Sequence, residues 1–217
     1  MSDDKEESIE EVRNATAEEL EDPKYWEDVY DEEDTPGFDL GEPAPEFVWF
    51  SENAQPAFKP GKAIVLGCGP GNDAVFLAQK GFEVTAVDYA RHAIEQTQDN
   101  AKAAGVELVA HKADLFSLVP EFESRFDYVI EHTCYCAIHP TRRKDYARLA
   151  GDLLNESGQL VGLFYNHQRE GGPPYDTTPD DVRTNFEPYF DCRTLAFAQH
   201  GVERRLGKEL FARFYKR

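Results

Sequence analysis

The sequence predicts an α/β fold. Its core is a mostly parallel seven-stranded sheet with helices on both faces and an antiparallel hairpin at the C-terminal end. Three observations carry this reading. From Gly61 onward, short apolar runs alternate with stretches of helical periodicity, the pattern of a parallel sheet covered on both faces. The first apolar run ends in a glycine-rich turn that opens a helix, Gly67-Cys68-Gly69-Pro70-Gly71. The last two strand-like runs have no strong helical pattern between them. That suits a hairpin rather than a crossover, which needs roughly a dozen residues and a helix.

Taken in order, residues 63–66 read as a buried strand and residues 73–80 as a helix. Residues 83–88 form a strand, 90–104 a helix and 107–112 a strand. A strand at 126–131, a helix at 141–154 and a strand at 159–165 follow. Thr178-Pro179-Asp180-Asp181 has the form of a helix start, with Thr178 as cap and Pro179 in the first turn. Residues 193–197 and 210–215 are the hairpin strands, with Gly201 and Gly207 marking their connection.

Composition bounds the rest. At 217 residues with 41% hydrophobic and 12% aromatic side chains, the chain has the length of one domain plus a tail, and enough apolar mass for a full core. Residues 1–22 hold ten acidic and two basic side chains, a net of −8, and read as a solvated acidic tail, in part helical. Residues 23–60 crowd Trp26, Tyr30, Phe38, Phe47, Trp49 and Phe50 among Pro36, Gly37, Gly41, Pro43 and Pro45, which reads as an aromatic cap or as ordinary packing on the core. Residues 61–217 are the main domain. The formal charge of −19 repels phosphate backbones and argues against a nucleic-acid partner. The sequence has no membrane-length apolar run and no basic-then-apolar leader, so the expectation is a cytoplasmic protein without a membrane partner. The spacing of Cys68, Cys134, Cys136 and Cys192 is no disulfide framework.

The glycine turn is the first chemical signal. Glycine lets the backbone turn sharply and approach a ligand closely, and the helix after it offers free N–H groups and a positive dipole end. The segment runs Gly67, Cys68, Gly69, Pro70, Gly71, Asn72, Asp73, a GxGxG spacing; dinucleotide enzymes prefer GxGxxG. Asp88 ends the second strand seventeen residues after Gly71, where a carboxylate can take both ribose hydroxyls, and Tyr89 follows it. Asp114 follows the third strand, placed to meet an adenine amino group while Leu115 and Phe116 flank the ring; a helix-capping Asp is the alternative. Together these motifs and the terminal hairpin fit a Rossmann-like class I methyltransferase fold with S-adenosylmethionine (SAM) as cofactor and S-adenosylhomocysteine (SAH) as product.

The sequence also resembles the thiopurine S-methyltransferase family, and within it the thiol, halide and thiocyanate methyltransferase branch. The resemblance runs from Tyr25 to the C-terminus. Trp26 and Tyr30 are similar to the paired aromatics of the family's cap, and Phe38-Asp39-Leu40-Gly41 to its aromatic-Asp-Gln-Gly stretch. Glu131-His132-Thr133-Cys134-Tyr135-Cys136-Ala137-Ile138 is similar to an Asp-Tyr-Thr-Phe-Phe-Cys-Ala-like run. Asn166-His167 with Gly171-Gly172-Pro173-Pro174-Tyr175 matches the most branch-specific loop, and Arg205-Leu206-Gly207-Lys208-Glu209 also fits. The resemblance implies cofactor contacts from Trp26, Tyr30, Cys68, Asp73 and Glu131. It places His132, Tyr135 and Tyr175 at the point of methyl transfer. Leu40, His132 and Cys134 depart from the family pattern and bear on acceptor identity.

The implied reaction moves a methyl group to a small soft nucleophile: a thiol, hydrosulfide, halide or thiocyanate. SAM is already activated, so the enzyme mainly aligns the nucleophile and excludes water, and no strong general base is required. An aromatic pocket of Trp26, Tyr30, Tyr135 and Tyr175 would suit both a sulfonium and a polarisable acceptor. His132 reads either as a group that holds or deprotonates the acceptor or as a satisfied strand-end histidine. Cys134-x-Cys136 lacks the partners of a zinc site, and no metal is expected. His167 reads as closing a turn. Asn166 either orients a ligand or serves such a turn. Three alternatives stand: transfer to an oxygen, nitrogen or metalloid acceptor, a nicotinamide-dependent oxidoreductase on the same glycine turn, and a non-catalytic SAM-binding protein.

Overall fold

The computed structural model describes residues 14–32 and 36–217, so residues 1–13 of the predicted tail lie outside the described residues. The tail's described helix is α1, Ala17–Glu21. It opens on a capping box, in which Thr16 accepts from the Glu19 N–H and the Glu19 carboxylate accepts from the Thr16 N–H. Within residues 23–60, Pro23–Glu32 forms α2 and Pro45–Asn53 forms α3, each with proline in the first turn, where its missing N–H costs nothing.

The main domain then alternates β1 (Lys62–Leu66), α4 (Asn72–Gln79), β2 (Glu83–Asp88), α5 (Arg91–Ala104) and β3 (Val109–Lys112). After the short α6 (Val119–Phe122) come β4 (Phe126–His132), α7 (Arg143–Leu153), β5 (Leu154–Tyr165), α8 (Pro179–Phe186), β6 (Phe190–Phe197) and β7 (Glu209–Lys216). The sheet order is β3-β2-β1-β4-β5-β7-β6. Strands β1 to β5 pair in parallel, and β7 lies antiparallel to both β5 and β6. The expected parallel sheet with a terminal hairpin is thus present.

Differences lie at element edges. Strand β3 begins at Val109 rather than at residue 107, and β6 begins at Phe190 rather than at 193. A register shift between Asp191 and Thr194 breaks the alternation there, which hid the first half of β6 from pattern reading. Strand β5 takes over directly at Leu154, the residue that ends the predicted helix.

Alternate strand residues feed two cores. On one face Ile64, Val129, Leu160 and Phe214 pack with Tyr146, Leu153, Phe186 and Phe190 from the α7–α8 side. On the other, Val65, Ala86, Ile130 and Phe211 pack with Phe47, Phe50, Leu77 and Phe82. Burial of both strand faces explains the continuous apolar runs. Register places Leu66 beside Val87 and Glu131, Asp88 beside Lys112, and His132 beside Leu163. The carboxyl ends of the parallel strands therefore share one edge, where α/β sheets bind ligands.

Candidate active site

At that edge lies a cavity of about 450 Å³. Its floor is the turn from β1 to α4. Gly67, Gly69 and Gly71 all have positive φ, at 59°, 53° and 81°. Space forbids a side chain at two of them: a Cβ on Gly67 would stand 2.7 Å from Cys134 Sγ, and one on Gly71 would stand 2.6 Å from Thr97 Oγ1. Thr97 from α5 donates to the Gly69 carbonyl at 2.8 Å and fixes the turn from below. Asp88, buried at the end of β2, accepts from the Gly69 N–H and the Ala90 N–H, both at 2.9 Å. Burial raises its pKa against the pull of those backbone donors.

Beyond Asp88 the wall is Tyr89, Asp114, Leu115 and Phe116. Asp114 caps the short turn Leu115–Ser117 by accepting from the Phe116 N–H at 3.0 Å and also lines the cavity. The Arg142 guanidinium stands 4.1 Å from the Phe116 ring centre and pairs with Glu21. Tyr89 Oη donates to the Glu21 carbonyl at 2.8 Å, and Trp26 Nε1 to the Leu20 carbonyl at 3.2 Å. At the far end Tyr175 Oη donates to the Ala15 carbonyl at 2.7 Å, and the Ala15 N–H to the Gly172 carbonyl at 3.0 Å. Residues 15–26 therefore lie against the cavity, with Ala17, Leu20, Glu21 and Trp26 in its lining.

The opposite wall is ionic. His132, at the end of β4, holds Asp73 Oδ2 through Nδ1 at 2.7 Å; Asp73 Oδ1 accepts from the Ala44 N–H at 2.8 Å. His132 Nε2 is 3.1 Å from Arg205 Nη1 and 3.7 Å from Glu209 Oε1. Arg205 also pairs with Glu209 at 3.2 Å and donates to the Phe38 carbonyl at 2.7 Å, tying the segment before α3 to the hairpin. Burial opposes charge on His132, but the carboxylates of Asp73 and Glu209 outweigh it and lift the pKa to about 9.

The cavity brings together Trp26, Tyr30, Gly67, Cys68, Gly69, Asp73, Asp88, Tyr89, Asp114, Leu115, Phe116 and His132 of the expected residues. Four others fall outside its lining. Gly71 shapes the turn from below. Glu131 is fully buried, accepting from the Tyr135 N–H at 2.9 Å and pairing with Tyr146 Oη, and burial lifts its pKa to about 7. The Tyr135 ring packs among Tyr146, Phe164 and Phe186, with its hydroxyl on Asp181. Tyr175 packs against His139 and holds Ala15. The aromatic pocket expected of Trp26, Tyr30, Tyr135 and Tyr175 is thus formed by the first two; Tyr135 turns into the core because the strand-end turn points it toward α7 and α8. His167 does close a turn: its Nε2 meets the Pro174 carbonyl at 3.0 Å and its Nδ1 accepts from the Arg169 N–H at 3.2 Å. Asn166 contacts Asp176 at 3.3 Å in the same turn.

No local pattern marks Arg142, and Arg205 and Glu209 stand out only as part of the family-like stretch Arg205-Leu206-Gly207-Lys208-Glu209. Their i, i+4 spacing was the one available signal; nothing local marks them as buried. Among the described residues no group of His, Cys, Asp and Glu is arranged to hold a metal ion, and all four cysteines are free thiols.

A sheet of this order, with a glycine turn under a cavity and a buried carboxylate at the end of β2, defines a class I SAM-dependent methyltransferase. The residues fit the cofactor: the cavity is of ligand size, the turn leaves room for close approach, and Asp88 and Asp114 stand at successive strand ends. The chain belongs to the thiopurine S-methyltransferase family, whose model matches residues 21–210. It is 31% identical over 199 residues to thiocyanate methyltransferase 1 of Arabidopsis thaliana, covering 88% of this chain and 84% of that one. It is 27% identical over 195 residues to the thiopurine S-methyltransferase of Shewanella woodyi, covering 80% and 86%. In fold it is similar to the 1,6-didemethyltoxoflavin-N1-methyltransferase of Burkholderia thailandensis, solved with SAH, at a TM-score of 0.71 and 17% identity over 95% of this chain and 92% of the other. A structure concerning the conversion of a disulfide bond into a thioacetal group in echinomycin biosynthesis matches at a TM-score of 0.75 and 23% identity, over 90% and 93%.

Proposed function

We propose that the enzyme methylates a small soft nucleophile (a thiol, hydrosulfide, thiocyanate or halide) and that it works in the cytoplasm on a small-molecule acceptor rather than on nucleic acid. The observation that carries this is the continuity of one cavity from Asp114 and Phe116 at one end to His132, Cys134 and Cys136 at the other. The acceptor end combines sulfur and aromatic surface with a buried cation, a setting for a polarisable nucleophile. The similarity to thiocyanate methyltransferase 1 of Arabidopsis thaliana supports the same reading.

In this reading Asp88 takes the ribose, Asp114, Leu115 and Phe116 take the adenine, and Gly67, Gly69 and the start of α4 take the amino-acid end. When bound, the cofactor supplies an activated methyl group. Tyr30 and Phe38, edge to face with each other and tied to Arg205 through the Phe38 carbonyl, close the acceptor end against water, which leaves the nucleophile poorly solvated and reactive; Trp26, beside Ala90 and Ala93, covers the ribose end. Residues 23–60 act as the cap and residues 61–217 as the cofactor domain.

The test is SAH formation by pure protein with SAM and, in turn, iodide, thiocyanate, hydrosulfide, an aromatic thiol and a catechol. Turnover is expected with the sulfur and halide members. Turnover with the catechol alone would transfer the reading to an oxygen acceptor.

A further inference from the structure

The wall around His132 holds more charge than a neutral acceptor needs. Asp73, Arg205 and Glu209 are buried, and the His132 side chain is 10% exposed where the cavity reaches it. Asp73 fixes the ring by taking its Nδ1–H, which leaves Nε2 to choose a partner. Without a proton, Nε2 accepts from Arg205 Nη1 at 3.1 Å. With one, it cannot face a guanidinium N–H, and Glu209 Oε1 at 3.7 Å is the acceptor within reach. Protonation of His132 therefore frees one N–H of Arg205 Nη1, whose other N–H stays on Glu209 Oε1 at 3.2 Å. A second donor, Nε, is buried without a partner among the described residues. Buried donors of this kind are costly until an acceptor meets them, and charged donors are best met by an anion. The chain as a whole carries a formal charge of −19, so an anion entering this cavity depends on local cations.

We propose that His132, oriented by Asp73, keeps a proton beside the acceptor, so that the site binds a soft monovalent anion together with that proton, with Arg205 as the second cation. This rests on the acceptor class proposed above. A thiol enters as its thiolate: the S–H bond breaks in solution, the electron pair stays on sulfur, and the proton goes to solvent, because Nε2 already carries its own. Thiocyanate and iodide enter as anions with no proton to lose, beside the proton already on Nε2. The groups facing His132 are Asp73 from α4, Arg205 and Glu209 from the hairpin, the Phe47 ring from α3, and its chain neighbour Glu131 in the core. The two carboxylates in contact with it hold the ring's proton to about pH 9, so the cation is in place at neutral pH.

The experiment follows the imidazole resonance of His132 by NMR in the full chain saturated with SAH, assigned by comparison with His132→Gln. Titrations run across pH with and without thiocyanate. Thiocyanate should raise the His132 pKa by about a unit, and its Kd should weaken about tenfold in all as pH rises from the free pKa to the raised one, by linkage. In His132→Gln the affinity should fall about tenfold and lose its pH dependence. Thiocyanate binding that is independent of pH in the wild type, with the His132 resonance unmoved, would overturn the inference. A shifted resonance without turnover of any soft acceptor would sink the acceptor class and leave the anion site standing. Turnover with identical pH profiles in the wild type and His132→Gln would do the reverse.

Discussion

At the scale of single residues, the site depends on positions that admit no side chain. Gly71 combines a φ of 81° with Thr97 Oγ1 only 2.6 Å from where a Cβ would stand. Gly71→Ala should cost about 1–3 kcal/mol through backbone strain alone, and more through displacement of Thr97 and the Gly69 carbonyl it holds. Thermal unfolding and SAM binding by calorimetry are the checks; a variant of wild-type stability and affinity would show the turn to be more plastic than its geometry. The thiols of Cys68, Cys134 and Cys136, all in the cavity lining, are kept protonated by burial, with Cys136 pushed up to about 12. The thiolate is the nucleophile, so these sulfurs do not compete with the acceptor.

At the scale of elements, the N-terminal segment and the Gly-Gly-Pro-Pro-Tyr loop act on each other. The Tyr175 hydroxyl stands on the Ala15 carbonyl, two residues ahead of Ala17 in the cavity lining. Tyr175→Phe should therefore act through that segment rather than through chemistry. A lost hydrogen bond of about 1 kcal/mol corresponds to roughly fivefold weaker cofactor binding, with turnover at saturating SAM little changed. A fall in saturated turnover at unchanged SAM affinity would return Tyr175 to the reacting centre. Local signals made the strands, the glycine turn, Asp88 and the Thr178 cap legible, since each follows from a few neighbouring residues. The direction of Tyr135, the burial of Arg205 and Glu209, and the packing of Arg142 on Phe116 depend on partners dozens of residues away, so no local pattern announces them. The same holds for the first half of β6, where the bulge erased the alternation that reveals a strand.

For the whole molecule, buried ionisable groups set how stability responds to pH. Burial raises the Glu131 pKa from 4.5 to about 7, so the folded state binds a proton that the unfolded chain releases. Its contribution is fully present below pH 4.5 and is lost as pH rises through about 7. Urea unfolding should record a loss of about 3 kcal/mol from this group across that window, and Glu131→Gln should remove that slope. An unchanged slope in the variant would assign the pH dependence to other groups. The sheet order has a consequence of its own for how the molecule comes into being. Strand β7 fills the gap between β5 and β6, so while a ribosome is still extending the chain, β6 has no neighbour and the edge of β5 stands open. Arg205 and Glu209 are synthesised just ahead of or within that closing strand. The nascent chain thus builds its glycine turn early but completes the acceptor wall only when β7 slots home, and until then the half-made sheet is the stage most exposed to mispairing.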